Sequence, residues 1–124
     1  MEHSYKDLVA WQKAMVLVTA SYRATAGFPK DELLGLTSQL RRAAVSIPSN
    51  LAESQGRPSE KEFRYFLGRA RGSLIEVETQ LLIAQNLESL DTAQTEALLK
   101  SCAVVGRILN GRLASICKSG DKAN

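Results

Sequence analysis

The stretch from Phe63 to Ala84 places an apolar or small residue at alternating intervals of four and three. The residues that carry this repeat are Phe63, Leu67, Ala70, Leu74, Val77, Leu81 and Ala84. A 4-3 repeat sustained over three heptads brings its side chains to one face of an α-helix, whereas strand side chains alternate with a period of two. Ser59 and Glu62 have the spacing of a capping box, so the sequence predicts one long amphipathic helix over residues 59–88.

Three further segments carry apolar or seam-compatible residues at helical spacing, and they predict helices over residues 4–26, 31–55 and 91–117. The stripe of the first helix consists of Leu8, Trp11, Met15, Val18 and Tyr22, that of the second of Leu33, Leu36, Leu40, Ile47 and Leu51, and that of the fourth of Leu98, Cys102, Val105, Leu109 and Ile116. The tail from Lys118 onward is expected to fray.

Local signals indicate where these helices start. Ser4 is followed three residues later by Asp7, and Asp91 by Gln94, which is capping-box spacing. The carboxylate of Asp31 suits the positive end of a helix dipole. Short connections imply antiparallel neighbours, so the sequence predicts an all-α fold: one domain over residues 1–124 that forms an up-down-up-down antiparallel four-helix bundle.

Pro48 lies in the middle of the second predicted helix, where proline removes a hydrogen-bond donor and pushes away the carbonyl of Ala44. The apolar phase of this helix does not reset after the proline, so we expect a kinked helix that continues. Ser46, Ser49 and Asn50 have short polar side chains that can bond freed backbone groups. The kink would wrap the helix around its neighbours.

The sequence predicts a protein that is neither secreted nor inserted in a membrane. The start MEHSYKD is polar and acidic, unlike a secretory leader, and the longest apolar run near it, residues 15–18, is far too short to span a bilayer. Cys102 and Cys117 lie in a helical segment, which suits a reduced compartment. We therefore expect a cytoplasmic protein with no membrane partner.

The runs LTSQLRRAAVSIPSNLAES (residues 36–54) and EFRYFLGRARGSLIEVETQL (residues 62–81) closely resemble the four-helix bundle family known as 23S ribosomal RNA intervening-sequence proteins. The similarity runs from about Tyr5 to Ala84, with one departure at Ser54, where the family usually has glycine. The resemblance implies a bacterial protein that assembles as a cyclic homopentamer. A related branch resembles accessory proteins of diversity-generating retroelements, which implies a basic pentamer that contacts nucleic acid and a reverse transcriptase. Neither resemblance implies an enzyme.

Some branched apolar residues fall outside the predicted bundle stripes. When the third-helix stripe occupies heptad positions a and d, Ile75 and Leu82 both fall at b, and Val9 and Val16 are placed in the same way on the first helix. Paired apolar residues on an outer face predict a second buried surface, here a homo-oligomer interface. They are also compatible with ordinary scattered surface residues.

The basic residues are concentrated in one half of the chain. Residues 41–71 contain seven basic and three acidic residues, a net charge of +4, which leaves −1 for the rest of the chain. The seven candidate nucleic-acid-binding residues are Arg41, Arg42, Arg57, Lys61, Arg64, Arg69 and Arg71. Arginine matches phosphate with a two-pronged donor geometry, so these residues form a candidate RNA or DNA surface. Alternatively, residues such as Arg64 and Arg71 form ion pairs between helices or subunits, for example with Glu53 or Glu78.

The sequence offers no candidate catalytic residue. The only histidine, His3, lies at the start of the chain, and Cys102 and Cys117 fit buried structural positions better than reactive ones. Glu76 and Glu78 are two apart on a helix and face different ways. We therefore expect no catalytic residue, no metal site, no cofactor and no small-molecule substrate.

The sequence thus predicts a non-enzymatic homo-oligomer that binds RNA or DNA through a basic surface. The alternative is a protein-interaction or scaffold module whose arginines only stabilise subunit interfaces and whose ligand is another protein.

Overall fold

The computed structural model describes the backbone of residues 4–123 and the side chains of residues 4–116 except that of Asp7. Its four α-helices are α1 (Val9–Thr25), α2 (Leu36–Gln55), α3 (Glu60–Asn86) and α4 (Thr92–Ala123), and two short 3-10 helices, Tyr5–Asp7 and Lys30–Glu32, precede α1 and α2. No β-strand occurs between residues 4 and 123. The prediction of an all-α fold is confirmed.

Each helix packs against two others. α1 and α3 both contact α2 and α4, which is consistent with a helical bundle. The stripe predicted for α3 faces the core: Leu67, Ala70, Leu74, Val77, Leu81 and Ala84 are buried, and Phe63 is partly buried against them. A stripe with this spacing is buried because all of its members lie on the side of α3 that meets its neighbours.

The first helix begins later than predicted. Leu8 has φ −69° and ψ 126°, an extended conformation that separates the 3-10 helix from α1. Ser4 caps the 3-10 helix instead of α1, because its Oγ accepts a 3.2 Å hydrogen bond from the Lys6 backbone N–H. The Tyr5 ring meets the Trp11 ring edge to face, with centroids 5.6 Å apart, so this turn folds back onto α1.

The second helix also begins later, at Leu36 instead of residue 31. The 3-10 helix Lys30–Glu32 and a turn over residues 33–35 precede it, and the carboxylate of Glu32 accepts a 3.0 Å hydrogen bond from the Leu36 backbone N–H. This side-chain acceptor satisfies a donor at the first turn of α2, and the helix starts there. Leu33, which the sequence placed on the buried stripe, is exposed as a result.

The start of α3 and the start of α4 follow the predicted caps. Ser59 Oγ accepts from the Glu62 backbone N–H at 3.1 Å. Asp91 Oδ1 accepts from the Gln94 N–H at 2.7 Å, while Gln94 Oε1 accepts from the Asp91 N–H at 3.0 Å. The reciprocal pair is a complete capping box. α3 ends at Asn86, two residues early, and α4 continues to Ala123, beyond the predicted end at 117 and through the tail expected to fray.

Helix α2 continues through Pro48, which is buried. Proline leaves the Ala44 carbonyl without its helical donor, and polar side chains bond two carbonyls that follow it. Ser49 Oγ donates to the Val45 oxygen at 2.9 Å, and Asn50 Nδ2 donates to the Ser46 oxygen at 2.8 Å. The helix also runs through Ser54, whose buried hydroxyl donates to the Leu51 oxygen at 2.6 Å. No helix in residues 4–123 is long and apolar enough to cross a membrane.

Candidate nucleic-acid interface

The predicted basic residues lie on α2, on α3 and in the turn between them. Arg41 and Arg42 follow the first turn of α2, and Arg57 lies just after its end. The other four, Lys61, Arg64, Arg69 and Arg71, lie on α3. The structure gives these seven side chains different surroundings, and three of them are engaged within the chain.

Arg41 is bound to the end of α1. Its Nε donates to Thr25 Oγ1 at 2.8 Å and its Nη2 donates to the Tyr22 carbonyl oxygen at 3.3 Å. The guanidinium also lies over the Tyr22 ring, 4.6 Å from its centroid. A side chain held by two hydrogen bonds and a cation–π contact links α2 to α1 and is poorly placed to reach a ligand.

Arg57 is held in the turn between α2 and α3. Its guanidinium forms an ion pair with Glu53 and lies 4.6 Å from the centroid of the Phe66 ring. Glu53 forms no ion pair with Arg64 or Arg71 among the described residues. Arg57 therefore stabilises the turn at the end of α2.

Arg69 is paired with an aromatic residue one turn earlier. Its Nη1 donates to the Tyr65 hydroxyl at 3.0 Å, and the guanidinium carbon lies 5.7 Å from the ring centroid. Tyr65 in turn meets the ring of Phe66 edge to face, with centroids 5.1 Å apart. Tyr65 and Arg69 are both exposed, so this pair presents a ring face and a cation to solvent.

The remaining four basic residues, Arg42, Lys61, Arg64 and Arg71, are exposed and form no ion pair with a residue that the structure describes. Glu78, the other acidic partner suggested by the sequence, is half-buried. Ion pairs of Arg64 or Arg71 with another subunit stay a prediction. No carboxylate of the described residues neutralises the charge of these four side chains.

Helix geometry divides the basic residues between two flanks of α3. Arg69 and Arg71 are two positions apart, so their side chains are roughly 200° apart around the helix axis. Arg69 lies on the flank next to α2, where it lines a groove with Arg42, while Arg64 and Arg71 lie on the other flank. Arg57 lies in the turn before α3 and is held against Phe66, so it belongs to neither flank.

The α2–α3 groove is a polar depression of about 460 Å³ that the sequence did not predict. Its polar lining residues are Gln39, Arg42, Ser46, Arg69, Ser73, Glu76 and Gln80. Ser73 Oγ donates to Ser46 Oγ at 2.8 Å and so joins the two helices within this groove. A signal was present in the sequence: Arg69, Ser73, Glu76 and Gln80 follow a 4-3-4 spacing, which makes a polar stripe beside the apolar one.

A scan of protein families matches residues 6–111 of this chain to the family described as 23S rRNA-intervening sequence protein. The chain belongs to the 23S rRNA-intervening sequence protein family. The match covers α1, α2, α3 and most of α4, so it extends beyond the resemblance of the sequence, which ended near Ala84.

This intervening-sequence family member is also similar to a solved structure. A crystal structure from Bacteroides thetaiotaomicron, described as a protein with unknown function from the S23 ribosomal protein family, aligns with a TM-score of 0.77 at 18% sequence identity. The alignment covers 85% of this chain and 98% of that chain. At this identity the likeness concerns the fold. No curated protein sequence matches the chain.

The apolar residues predicted to form an oligomer interface are all exposed in this intervening-sequence protein. The exposed fractions are 56% for Val9, 61% for Val16, 53% for Ile75 and 47% for Leu82. Gly68 and Gly72 lie on α3, seven and three positions before Ile75, and a Cβ added to either would meet no atom within 4 Å. The chain alone leaves these residues uncovered, and their role at an interface stays a prediction.

The residues weighed for catalysis or metal binding form no site in the described part of this family member. Cys102 is buried, and desolvation, with a smaller contribution from the Glu78 carboxylate, raises the pKa of its thiol to about 12. No cluster of metal-ligating side chains occurs among the described residues. His3 and the side chain of Cys117 lie outside them.

Proposed function

We propose that this protein is a non-enzymatic homo-oligomer that binds RNA or DNA through the basic surface of α2 and α3. The observation that carries the proposal is the set of exposed cations, Arg42, Lys61, Arg64 and Arg71, that have no ion pair with a described residue. A cation left without a carboxylate partner retains its full attraction for phosphate. The charge distribution supports this, because the net charge of +4 lies in residues 41–71.

We propose an up-down-up-down antiparallel course for the four helices. Thr25 near the end of α1 is bonded to Arg41 near the start of α2, and Gln85 near the end of α3 is bonded to Thr92 at the start of α4. Contacts between the end of one helix and the start of the next support antiparallel neighbours. We also propose that residues 1–124 form a single domain.

We further propose that the chain assembles as a cyclic oligomer, with five subunits as the family resemblance implies. Val9 and Val16 lie on α1, while Ile75 and Leu82 lie on α3, two helices that do not contact each other. When two different surfaces of one chain bind each other, the contact is heterologous, and a heterologous contact that closes produces a ring. Rings repeat the basic surface around their axis, which multiplies phosphate contacts.

The lack of an enzymatic role is part of the same proposal. A proton relay through histidine has only His3 in the sequence. Burial keeps the Cys102 thiol protonated, so it is a poor nucleophile at neutral pH. These features support a binding protein.

The experiment is fluorescence-anisotropy binding to a structured RNA and to a duplex DNA between about 50 and 200 mM salt. We expect log affinity to fall linearly with log salt, and the double variant Lys61→Gln, Arg64→Gln to bind less tightly with a shallower slope. The double variant Lys100→Gln, Arg107→Gln removes two exposed cations from α4 and is the matched control. Failure to bind either nucleic acid at low salt would refute the proposal.

The alternative, a protein-interaction or scaffold module, has a specific observation in its favour. Arg41, Arg57 and Arg69 each stack on an aromatic ring of the same chain, so part of the arginine excess serves the structure of the subunit. Under this alternative the Lys61→Gln, Arg64→Gln variant leaves polyanion binding unchanged and lowers the molar mass in light scattering. Loss of affinity with an intact oligomer supports nucleic-acid binding instead.

A further inference from the structure

We infer that the α2–α3 groove is a site for single-stranded RNA, with a phosphate between Arg42 and Arg69, a ribose at Gln80 and a base on Tyr65. This inference rests on the proposed function and names the ligand class of one part of the basic surface. Four features of the groove carry it: its cations, its acceptors, the neighbouring ring and its size.

The cations of the groove come from two different helices. Arg42 belongs to α2 and Arg69 to α3, and both line the same depression. The hydrogen bond to the Tyr65 hydroxyl fixes the orientation of the Arg69 guanidinium in advance. A guanidinium that is already oriented loses less rotamer entropy when it binds a phosphate. The Ser46 and Ser73 hydroxyls add polar partners within the groove.

The hydrogen-bond acceptors that line the groove favour a ligand that donates hydrogen bonds as well as accepting them. Gln80 lines the groove with the Glu76 carboxylate, and its Oε1 has no hydrogen-bond partner among the described residues. This oxygen is buried as the side chain stands, so the partly exposed side chain has to rotate to present it to a ligand. A phosphate cannot satisfy either group, because at neutral pH a phosphodiester only accepts. A ribose 2′-hydroxyl donates to such an acceptor, and DNA lacks this group. Base amino groups are further donors for Glu76.

Tyr65 provides a surface for a base at the end of the groove. It is exposed, and it is one turn before Arg69, to which it is hydrogen-bonded. Its edge-to-face contact with Phe66 holds the ring in place. Aromatic rings bind bases that are free of a duplex, because the face of a paired base is covered by its neighbours.

The size of the groove favours a single strand. A depression of about 460 Å³ between two packed helices has room for a short stretch of one sugar-phosphate chain and excludes a double helix. A duplex reaches the outer cations of the basic surface without entering the groove. Single-strand binding and duplex binding therefore depend on different residues.

The test measures the affinity of the full chain for a labelled single-stranded RNA of mixed sequence, the single-stranded DNA of the same sequence, and the RNA duplex, at low salt. Wild type is expected to bind the single-stranded RNA at least about tenfold more tightly than the duplex. Tyr65→Leu should weaken single-strand binding about tenfold, the loss expected when one base stack is removed, and leave duplex binding unchanged. Gln80→Leu should reduce the preference for RNA over DNA.

Two control variants distinguish a loss of binding from a loss of folding. Tyr65→Phe keeps the ring and is expected to retain most of the affinity, and Asn110→Leu on α4 replaces an exposed amide away from the groove and should leave the preference for RNA unchanged. The inference is overturned, and the proposed function stands, if the wild type binds duplex and single strand equally or if Tyr65→Leu binds the single strand as tightly as the wild type does. If no nucleic acid binds to the wild type, both are overturned.

Discussion

The guanidinium of Arg41 donates a 2.8 Å hydrogen bond to the buried hydroxyl of Thr25 and thereby joins the start of α2 to the end of α1. Its neighbour Arg42 lines the α2–α3 groove instead and is exposed. Two adjacent arginines therefore have different roles, because consecutive residues of a helix point about 100° apart.

We expect Arg41→Gln to lower the free energy of unfolding by about 1–3 kcal/mol, since it removes charged hydrogen bonds and the contact with the Tyr22 ring. Arg42→Gln is the matched control, and its effect on stability should stay within about 0.5 kcal/mol. Urea unfolding followed by circular dichroism measures both. Equal stability of the two variants would contradict the structural role of Arg41.

Ser46 accepts hydrogen bonds from two side chains, Asn50 of its own helix and Ser73 of α3. We expect Ser46→Ala to destabilise the fold by about 1–3 kcal/mol, because both donors lose a partner in a partly buried setting. A double-mutant cycle with Ser73→Ala should give a coupling of about 0.5–1.5 kcal/mol from urea denaturation. Strict additivity of the two substitutions would show that the hydrogen bond between the helices contributes nothing.

The proposed heterologous interface predicts a specific result for mixed variants. Val16→Glu and Ile75→Glu each place a charge on one of the two apolar surfaces, so each variant alone should fail to assemble. A mixture of the two still contains one intact pair of surfaces, Ile75 of the first variant and Val16 of the second, and should form dimers. Light scattering coupled to gel filtration measures the molar masses.

Ala103→Glu, an exposed position on α4, is the control for added charge and should leave the oligomer unchanged. If wild type is monomeric at every concentration, or if the mixture behaves as the sum of its parts, the heterologous interface is wrong.

The buried thiol of Cys102 predicts a dependence of stability on alkaline pH. Its pKa is raised from 9.0 to about 12 in the folded chain, so the unfolded chain loses the proton first as pH rises. The stabilisation is complete below pH 9 and is lost progressively as pH increases toward 12, with a slope of roughly 1.4 kcal/mol per pH unit from this one group. In a Cys117→Ser background, the free energy of unfolding should therefore fall more steeply above pH 9 than when Cys102 is also replaced by Ala. Parallel slopes would contradict this assignment.

The sequence by itself determined the number of helices and the buried face of α3. It did not determine the buried face of α1, which consists of Ala10, Ala14, Leu17, Ser21 and Thr25, whereas Met15 and Tyr22 of the predicted stripe are exposed. The stripe from Leu67 to Ala84 is buried as its spacing predicts, and the caps at Ser59 and Asp91 lie one residue before α3 and α4. Burial and capping depend on residues a few positions apart, so they are visible in a linear sequence.

The tertiary structure decided what the arginines do. Arg41 is bonded to Thr25, which is 16 positions away in the sequence, and Arg42 lines one groove with Arg69, which is 27 positions away. Only the packing of the helices brings these residues together. The later starts of α1 and α2 have the same origin, since the Tyr5 ring packs on Trp11 and the Glu32 carboxylate caps Leu36. Charge is a property of composition, but its availability to a ligand depends on which partners the fold provides.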